Sequence, residues 1–504
     1  MMKLKKFTIA ACITGLTLGS VFTESAFAET AENEQKHYTI AWTWIEDNEN
    51  PTDGGTAAGL TGWGVSETIF MQDENGETVS HIVDSVEKQE DGSWLLTLKD
   101  DVKFSDGSDV DAEAFAKCIQ TIMDAGTGTS TCGKITAEPV DAKTLKLLTE
   151  RETTVMEAAL MESSMILFKE LEDGTYVYTG PYRTVAFDPG ISMEVVPNEY
   201  YDDRADERPD VTIKAFGDMV AMQQAFENGE LDMAYEISPE MTKQLKDEGY
   251  KVVDFDGGYQ YFGIVNMRKA PFDDSRVRTA ISEIFDREEI AAGIQGGTVG
   301  TGFFAATYPF NANVEMKTDV EDAKKLLEEA GYTDTDGDGY VDKDGENLKI
   351  HLATYGMHPE LPVMVQIMAS QLEAAGIEAD AEVVSGIVQY CREEDFDIAL
   401  YGEYTGSTGD PADRLNGFFR EGGVNNYNEY SNEEVTALLD ELGTLEPGDE
   451  RNETAIQIQE IVAQDLPVIY LIDSQFHTAL SEDLQNYQPY GADYYILNAE
   501  FGLN

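Results

Sequence analysis

The sequence predicts an α/β fold of more than one domain, and three observations carry that expectation. The chain has 504 residues, more than one hydrophobic core usually organises. Its 42% hydrophobic content, with 24 Tyr and 22 Phe, is ample for packed cores. Segments of helical period and of strand period alternate along it, as in a sheet covered by helices.

The elements follow in order. Residues 94–98 (WLLTL) and 102–104 (VKF) read as strands, with a turn at Ser105-Asp106-Gly107. A helix starts after Asp111, its N-cap, and places Ala112, Phe115, Ile119 and Ile122 on one face. Ile191, Met193 and Val195 alternate as a strand. Met222, Ala225 and Phe226 suggest a helix closed by Asn228-Gly229 and followed by the strand Leu231–Ala234. In the second half Asp319 caps a helix with Ala323, Leu326, Leu327 and Ala330 on one face and Gly331 at its end. Leu348, Ile350 and Leu352 alternate as a strand, Leu361–Ala375 reads as a helix closed by Gly376, and Ala379–Val384 and Phe396–Tyr401 as strands. A long amphipathic helix then leads to the buried run Leu466–Leu471. The glycines at 293, 296, 297, 300 and 302 follow no strand and read as a flexible loop.

The stretch Pro271–Ile290, PFDDSRVRTAISEIFDREEI, is the most constrained. Val277, Ala280, Ile281 and Ile284 fall at i, i+3, i+4 and i+7, so one face is buried. Asp286 is the N-cap of a second helix, with Glu289 completing a capping box and Phe285 and Ile290 placed as a hydrophobic staple. This segment resembles a signature of the extracellular solute-binding proteins of bacterial ABC importers, the oligopeptide, dipeptide and nickel-binding type called family 5. VKFSDGSDVDAEAFA within Ile82–Met123, the stretch Thr179–Ile237, and NYNEYSNEEVTALLDE within Asn426–Leu471 resemble further family stretches. The resemblance implies a two-lobed periplasmic-binding-protein fold, class II-like, with an extra subdomain in the first lobe. The first lobe would hold residues 29–258 and 478–504, its subdomain about 74–178, and the second lobe 259–477, with hinge crossings near Tyr259–Asn266 and Ile472–His477. It also implies a solute-binding subunit with no catalytic role and no cofactor, monomeric, that captures a peptide or other small solute for a membrane permease. A nickel or metal chelate is the alternative solute.

Composition excludes other classes. The net charge of −63 argues against nucleic acid and anionic membranes as partners; it favours solubility and would attract cationic solutes. Residues 1–28 read as an export signal: Lys3, Lys5 and Lys6, an apolar run from Phe7 to Phe22, and the A-x-A site Ala26-Phe27-Ala28. Export places the protein at the cell surface, outside the cell or in the periplasm. Ile9–Cys12 also matches the pattern before a lipid-modified cysteine, but too few apolar residues separate Lys6 from Cys12. Cys118, Cys132 and Cys391 remain after cleavage. Cys118 and Cys132 are the pair placed for a disulfide, and buried free thiols are the alternative. A secreted hydrolase is the reading from a different class. Against it, there is no G-x-S-x-G, H-E-x-x-H, P-loop or dinucleotide fingerprint, and carboxylate pairs are too abundant to single one out.

The ligand candidates follow strand Phe396–Tyr401: Tyr404, Thr405, Gly406, Ser407 and Asp410, since ligands sit at strand ends in α/β sheets. In peptide-binding members the corresponding segment carries a Trp and an Asp that pairs with the α-ammonium; here Tyr404 and Ser407 stand there. The resemblance thus implies weak dependence on a free amine, because a buried ammonium needs a carboxylate. Asp410 is retained, and capping the turn before Pro411 is its structural role. The nickel branch's Arg would fall near Ser163, and no His lies close to Asp410–Asn425. Trp42, Trp44, Trp63 and Tyr261, with Tyr259 and Phe262, lie in regions that line the cleft in the family; each also suits a core. His351 and His358, with Met357 between them, could serve as soft ligands for a transition metal, but His351 on an alternating strand and His358 ahead of a helix read first as structural histidines. Asp334, Asp336 and Asp338 have the D-x-D-x-D-G spacing of a calcium loop, but Gly345 occupies the twelfth position, so an EF-hand is excluded.

Overall fold

The computed structural model describes residues 36–503 apart from 54, 127, 394 and 395. The expected export signal, its expected cleavage site and Cys12 lie outside the described residues. The strands used below are β1 His37–Trp42, β2 Val83–Lys88, β3 Trp94–Leu98, β4 Ile135–Pro139, β5 Thr144–Thr149, β6 Tyr182–Asp188, β7 Ser192–Pro197, β8 Asp210–Ala215, β9 Met233–Ala234, β10 Lys251–Val265, β11 Thr298–Val299, β12 Lys349–Tyr355, β13 Glu378–Val384, β14 Ile398–Tyr404 and β15 Val468–Leu480. One large mixed sheet runs β6-β7-β8-β1-β9-β15-β10-β14-β12-β13, with β11 paired to β15. A separate antiparallel sheet, β2-β3-β5-β4, packs with helix α1, Ala112–Asp124.

The architecture turns on β10 and β15, the two longest strands. They pair antiparallel from Lys251↔Leu480 to Ile264↔Val468, and the register breaks between Asp256 and Gln260. On one side of the break β15 carries β9, and through it the parallel neighbour β1. On the other side β10 carries β14, which leads to the parallel strands β12 and β13. Each half has its own cores: Trp42, Trp63, Phe104 and Phe115 pack in the first, and Phe272, Ile281, Leu327 and Met368 in the second.

Local signals explain the helices. In α1 Asp111 accepts the Ala114 N–H at 2.8 Å, and Phe115, Ile119 and Ile122 are fully buried. Helix α2 (Ser275–Ile284) buries Val277, Ala280, Ile281 and Ile284. Helix α3 (Arg287–Ile294) is capped by Asp286, which accepts the Glu289 N–H at 3.1 Å. The capping box closes differently from the expectation: the Asp286 N–H donates to Gln371 Oε1, and Glu289 instead accepts from Gln371 Nε2. Gln371 lies on α5 (Leu361–Ala374), so the cap also fastens two helices. Helix α4 (Val320–Ala330) is capped by Asp319 and ends at Gly331, whose φ of 95° is left-handed.

Several sequence expectations change. Residues 102–104 form only a single bridge, Lys103↔Asp109, because the chain turns back through Phe104 N–H to Ser108 O at 2.9 Å. The motif NYNEYSNEEVTALLDE itself turns helical at Glu433. Two helices, α7 (Glu433–Thr444) and α8 (Asp449–Asp465), occupy the region, interrupted at Pro447-Gly448. The glycine-rich stretch is not a free loop: helix α3 runs through Gly293, and Thr298–Val299 pair with β15. Gly297, at φ 81°, packs so close that a Cβ would stand 2.5 Å from the Asp473 carbonyl oxygen. Cys118, Cys132 and Cys391 are all free and buried. Cys118 Sγ donates to Phe168 O, and Cys132 lies against Thr129 Oγ1, so the proposed bridge is replaced by two separate packing roles.

Candidate solute-binding cleft

Strand β14 runs to Tyr404, three residues beyond the expected end, and delivers Tyr404 to the middle of the molecule. Its ring stacks on Tyr259 of β10, with centroids 5.9 Å apart and an interplanar angle of 17°, and meets Tyr494 edge-on at 5.4 Å. Gly258 makes this possible. It sits in the register break at φ 67°, and a Cβ there would lie 2.4 Å from the Tyr404 ring.

The loop after Tyr404 is bonded inward. Thr405 Oγ1 donates to Gln260 Oε1, the Tyr308 hydroxyl reaches Gly406 O at 3.4 Å, and Ser407 Oγ accepts from Arg414 at 3.1 Å. Asp410 is committed elsewhere. Its carboxylate takes two hydrogen bonds of 2.7 Å from Arg451 of α8 and accepts the Ala412 N–H that opens helix α6 (Ala412–Phe419). That bidentate pair engages the Asp410 carboxylate with the protein's own groups. Arg451 also donates to Leu442 O and Leu445 O at the end of α7.

At the centre, His358 Nδ1 lies 2.5 Å from Glu236 Oε1. Glu236 follows β9 in the first half, and His358 precedes α5 in the second. Both are buried. Trp42 Nε1 donates to the second Glu236 oxygen at 2.8 Å, and Trp63 Nε1 donates to Glu46 at 3.2 Å. Trp42 and Trp63 therefore pack inside while using their N–H groups on buried carboxylates; Trp44 is only partly buried and meets Trp42 edge-on at 5.8 Å. The Tyr261 hydroxyl donates to Glu360 Oε2 at 3.4 Å, and the Tyr259 hydroxyl to Asp493 Oδ1 at 2.9 Å. Tyr355, Glu403, Asp493 and Tyr494 stay partly exposed, so this region keeps a face open between the two halves of the sheet.

Burial dominates the electrostatics. It pushes the carboxyls of Glu46 and Glu403 up to about 7 and that of Asp493 to about 6, Arg414 opposing the shift at Glu403 and His358 that at Asp493. Glu360 is raised by burial and by the neighbouring Glu236. Burial pulls the His358 imidazole down, but Glu236, Asp493 and Glu360 together hold it above the ordinary histidine value. Arg414 is flanked by Glu403 at 3.0 Å and Asp413 at 3.2 Å.

Two other features lie elsewhere. A cavity of about 530 Å³, lined by Glu67, His81, Tyr201, Tyr490 and Phe501 among others, sits in the first half and contains none of the predicted residues. On the surface, Asp334, Asp336 and Asp338 bring carboxylate oxygens within 4.8 Å of one another. Those oxygens accept backbone N–H groups of their own turn, from Gly337, Gly339, Asp338 and Tyr340. Asp342 faces inward onto Thr335.

Residues 77–426 match the family profile described as bacterial extracellular solute-binding proteins, family 5 Middle. The chain belongs to that family. Among relatives of this family-5 protein, the nickel-binding protein NikA of Staphylococcus aureus is 22% identical over 447 residues, covering 86% of this chain and 88% of that protein. The oligopeptide-binding protein AppA of Bacillus subtilis is 25% identical over 452 residues, covering 83% and 82%. The fold is shared with their solved structures. NikA in complex with Ni(L-His)2 gives a TM-score of 0.81 at 21% identity over 92% of this chain and 99% of that one. AppA with a nonapeptide gives 0.78 at 20% identity over 92% and 98%. The family-5 protein thus has the two-lobed α/β architecture of these binding proteins, with β10 and β15 as the strands common to both halves of its sheet.

Sequence reading missed Glu236, Glu360, Glu403 and Asp493, which compose the cleft's charge. Local sequence carries no signal for them: Glu360 stands at the start of a helix, where a solvated acid is ordinary.

Proposed function

We propose that this protein is the extracellular capture subunit of an ABC importer, that it holds a peptide between its two lobes, and that it hands the peptide to a membrane permease without breaking a bond. The observation that carries the reading is the cleft itself. Aromatic walls (Tyr259, Tyr404, Tyr494) and buried polar groups from both halves converge on the register break of the two shared strands, the geometry in which closure couples to occupancy. The oligopeptide-binding relative supports the solute class. A free α-ammonium is not required at Ser407, since Arg414 already donates to its hydroxyl.

A nickel chelate is the second reading, and His358 is the observation that favours it. A carboxylate on Nδ1 is the arrangement that orients Nε2 toward a metal. However, Tyr259, Tyr261 and Phe476 enclose the ring. Calorimetry with peptide mixtures and with nickel–histidine separates the two. Peptide binding without nickel–histidine binding supports the first, the reverse selects the second, and turnover of any bound peptide overturns both.

A further inference from the structure

We propose that the cleft selects a cationic solute, and that a basic side chain of the bound peptide is held by Glu360 and Asp493 beside the Glu236–His358 pair. This rests on the peptide reading and adds the solute's charge to it.

The argument begins with an uncompensated charge. Five carboxyl groups, Glu236, Glu360, Glu403, Asp413 and Asp493, meet at the cleft against Arg414 and His358. Arg414 is taken by Glu403 and Asp413, and His358 by Glu236. Glu360 and Asp493 are left with no cation of their own. Glu360 is 4% exposed, and its Oε1 is buried with no hydrogen-bond donor among the described residues. An unsatisfied buried carboxylate oxygen is costly, and a solute ammonium or guanidinium group would satisfy it.

The surroundings suit a cation. Tyr355 and Tyr494 keep part of their rings open, and aromatic faces attract ammonium and guanidinium groups. Tyr259 and Tyr261 donate to Asp493 and Glu360, which orients the carboxylates and leaves their remaining oxygens for the solute. The groups facing this point come from both halves: Glu46 after β1, Tyr235 and Glu236 after β9, Tyr259 and Tyr261 on β10, Tyr355 on β12, His358 and Glu360 ahead of α5, Glu403 on β14, Asp413 and Arg414 on α6, and Asp493 and Tyr494 near the C-terminus. A cationic guest favours the ionised carboxyls, so it expels the protons that burial holds on Asp493, Glu403 and Glu360 around neutral pH. A lysine side chain stays charged throughout that range.

The test is isothermal calorimetry with acetylated, amidated alanine peptides carrying one Lys, one Glu or neither, in a range of lengths, with unblocked alanine peptides alongside. The expected result is that the Lys peptide binds at least about tenfold more tightly than the neutral one, with the Glu peptide weakest. Titrations in buffers of different ionisation enthalpy should reveal proton release, and affinity for the Lys peptide should rise from about pH 5 to about pH 8. Asp493→Asn and Glu360→Gln should each reduce the Lys preference; where a variant does not fold, proton release by the unaltered protein decides. Equal binding of the three blocked peptides without proton release overturns the cation proposal and leaves the peptide reading standing. If no peptide binds, blocked or unblocked, the peptide reading itself falls.

Discussion

His358 Nδ1 lies 2.5 Å from Glu236 Oε1, and the two residues stand 122 positions apart on opposite halves of the sheet. The contact joins the halves where solvent is excluded, so its worth lies in what happens when one member is lost. His358→Ala leaves a buried carboxylate facing Glu360 and Asp493. We expect a loss of about 3–5 kcal/mol, read as a lowered midpoint of urea unfolding at unchanged m-value.

Asp410 and Arg451 give a second prediction, and it separates a structural role from a ligand role. Asp410→Ala removes a bidentate buried pair and the first N–H acceptor of α6. Stability should fall by about 3–5 kcal/mol, while the solute affinity of the folded fraction changes little. A collapse of affinity at unchanged melting temperature would return Asp410 to the binding site.

The raised carboxyls predict how stability follows pH. In the folded protein burial pushes Glu46 and Glu403 to about 7 and Asp493 and Asp473 to about 6. In the unfolded chain such groups titrate near 4. Between those values the folded state binds more protons, so stability decreases as pH rises from about 4 to about 8. Differential scanning calorimetry of ligand-free protein should show a melting temperature several degrees lower at pH 8 than at pH 5. The net charge of −63 acts in the same direction through self-repulsion.

Gly258 is predicted to be intolerant of a side chain. Its left-handed φ and its contact with the Tyr404 ring both oppose a Cβ, so Gly258→Ala should cost about 1–3 kcal/mol. Because Gly258 sits at the register break of the shared strands, small-angle scattering with and without solute should also show altered closure.

Three thiols offer a direct check on the cysteines. Burial pushes Cys118 up to about 11 and Cys132 and Cys391 to about 12. A thiol reagent should therefore label none of them in the native protein and all three after unfolding. A disulfide would leave one.

What the sequence by itself determined lies within short reach along the chain. The caps at Asp111, Asp286 and Asp319 and the buried faces of their helices depend on neighbours three or four residues away, whose spacing is visible in the letters. Boundaries set by partners were less legible: β14 continues to Tyr404 because β10 supplies paired groups that far, and Glu289 leaves its own capping box because Gln371 arrives from another helix. The charge of the cleft was decided only by the tertiary structure. Glu236 meets Trp42 across 194 positions and His358 across 122. Which of the many acids in so acidic a chain loses its water, and which cation it then faces, depends on the order of strands in the sheet. No local pattern encodes that order.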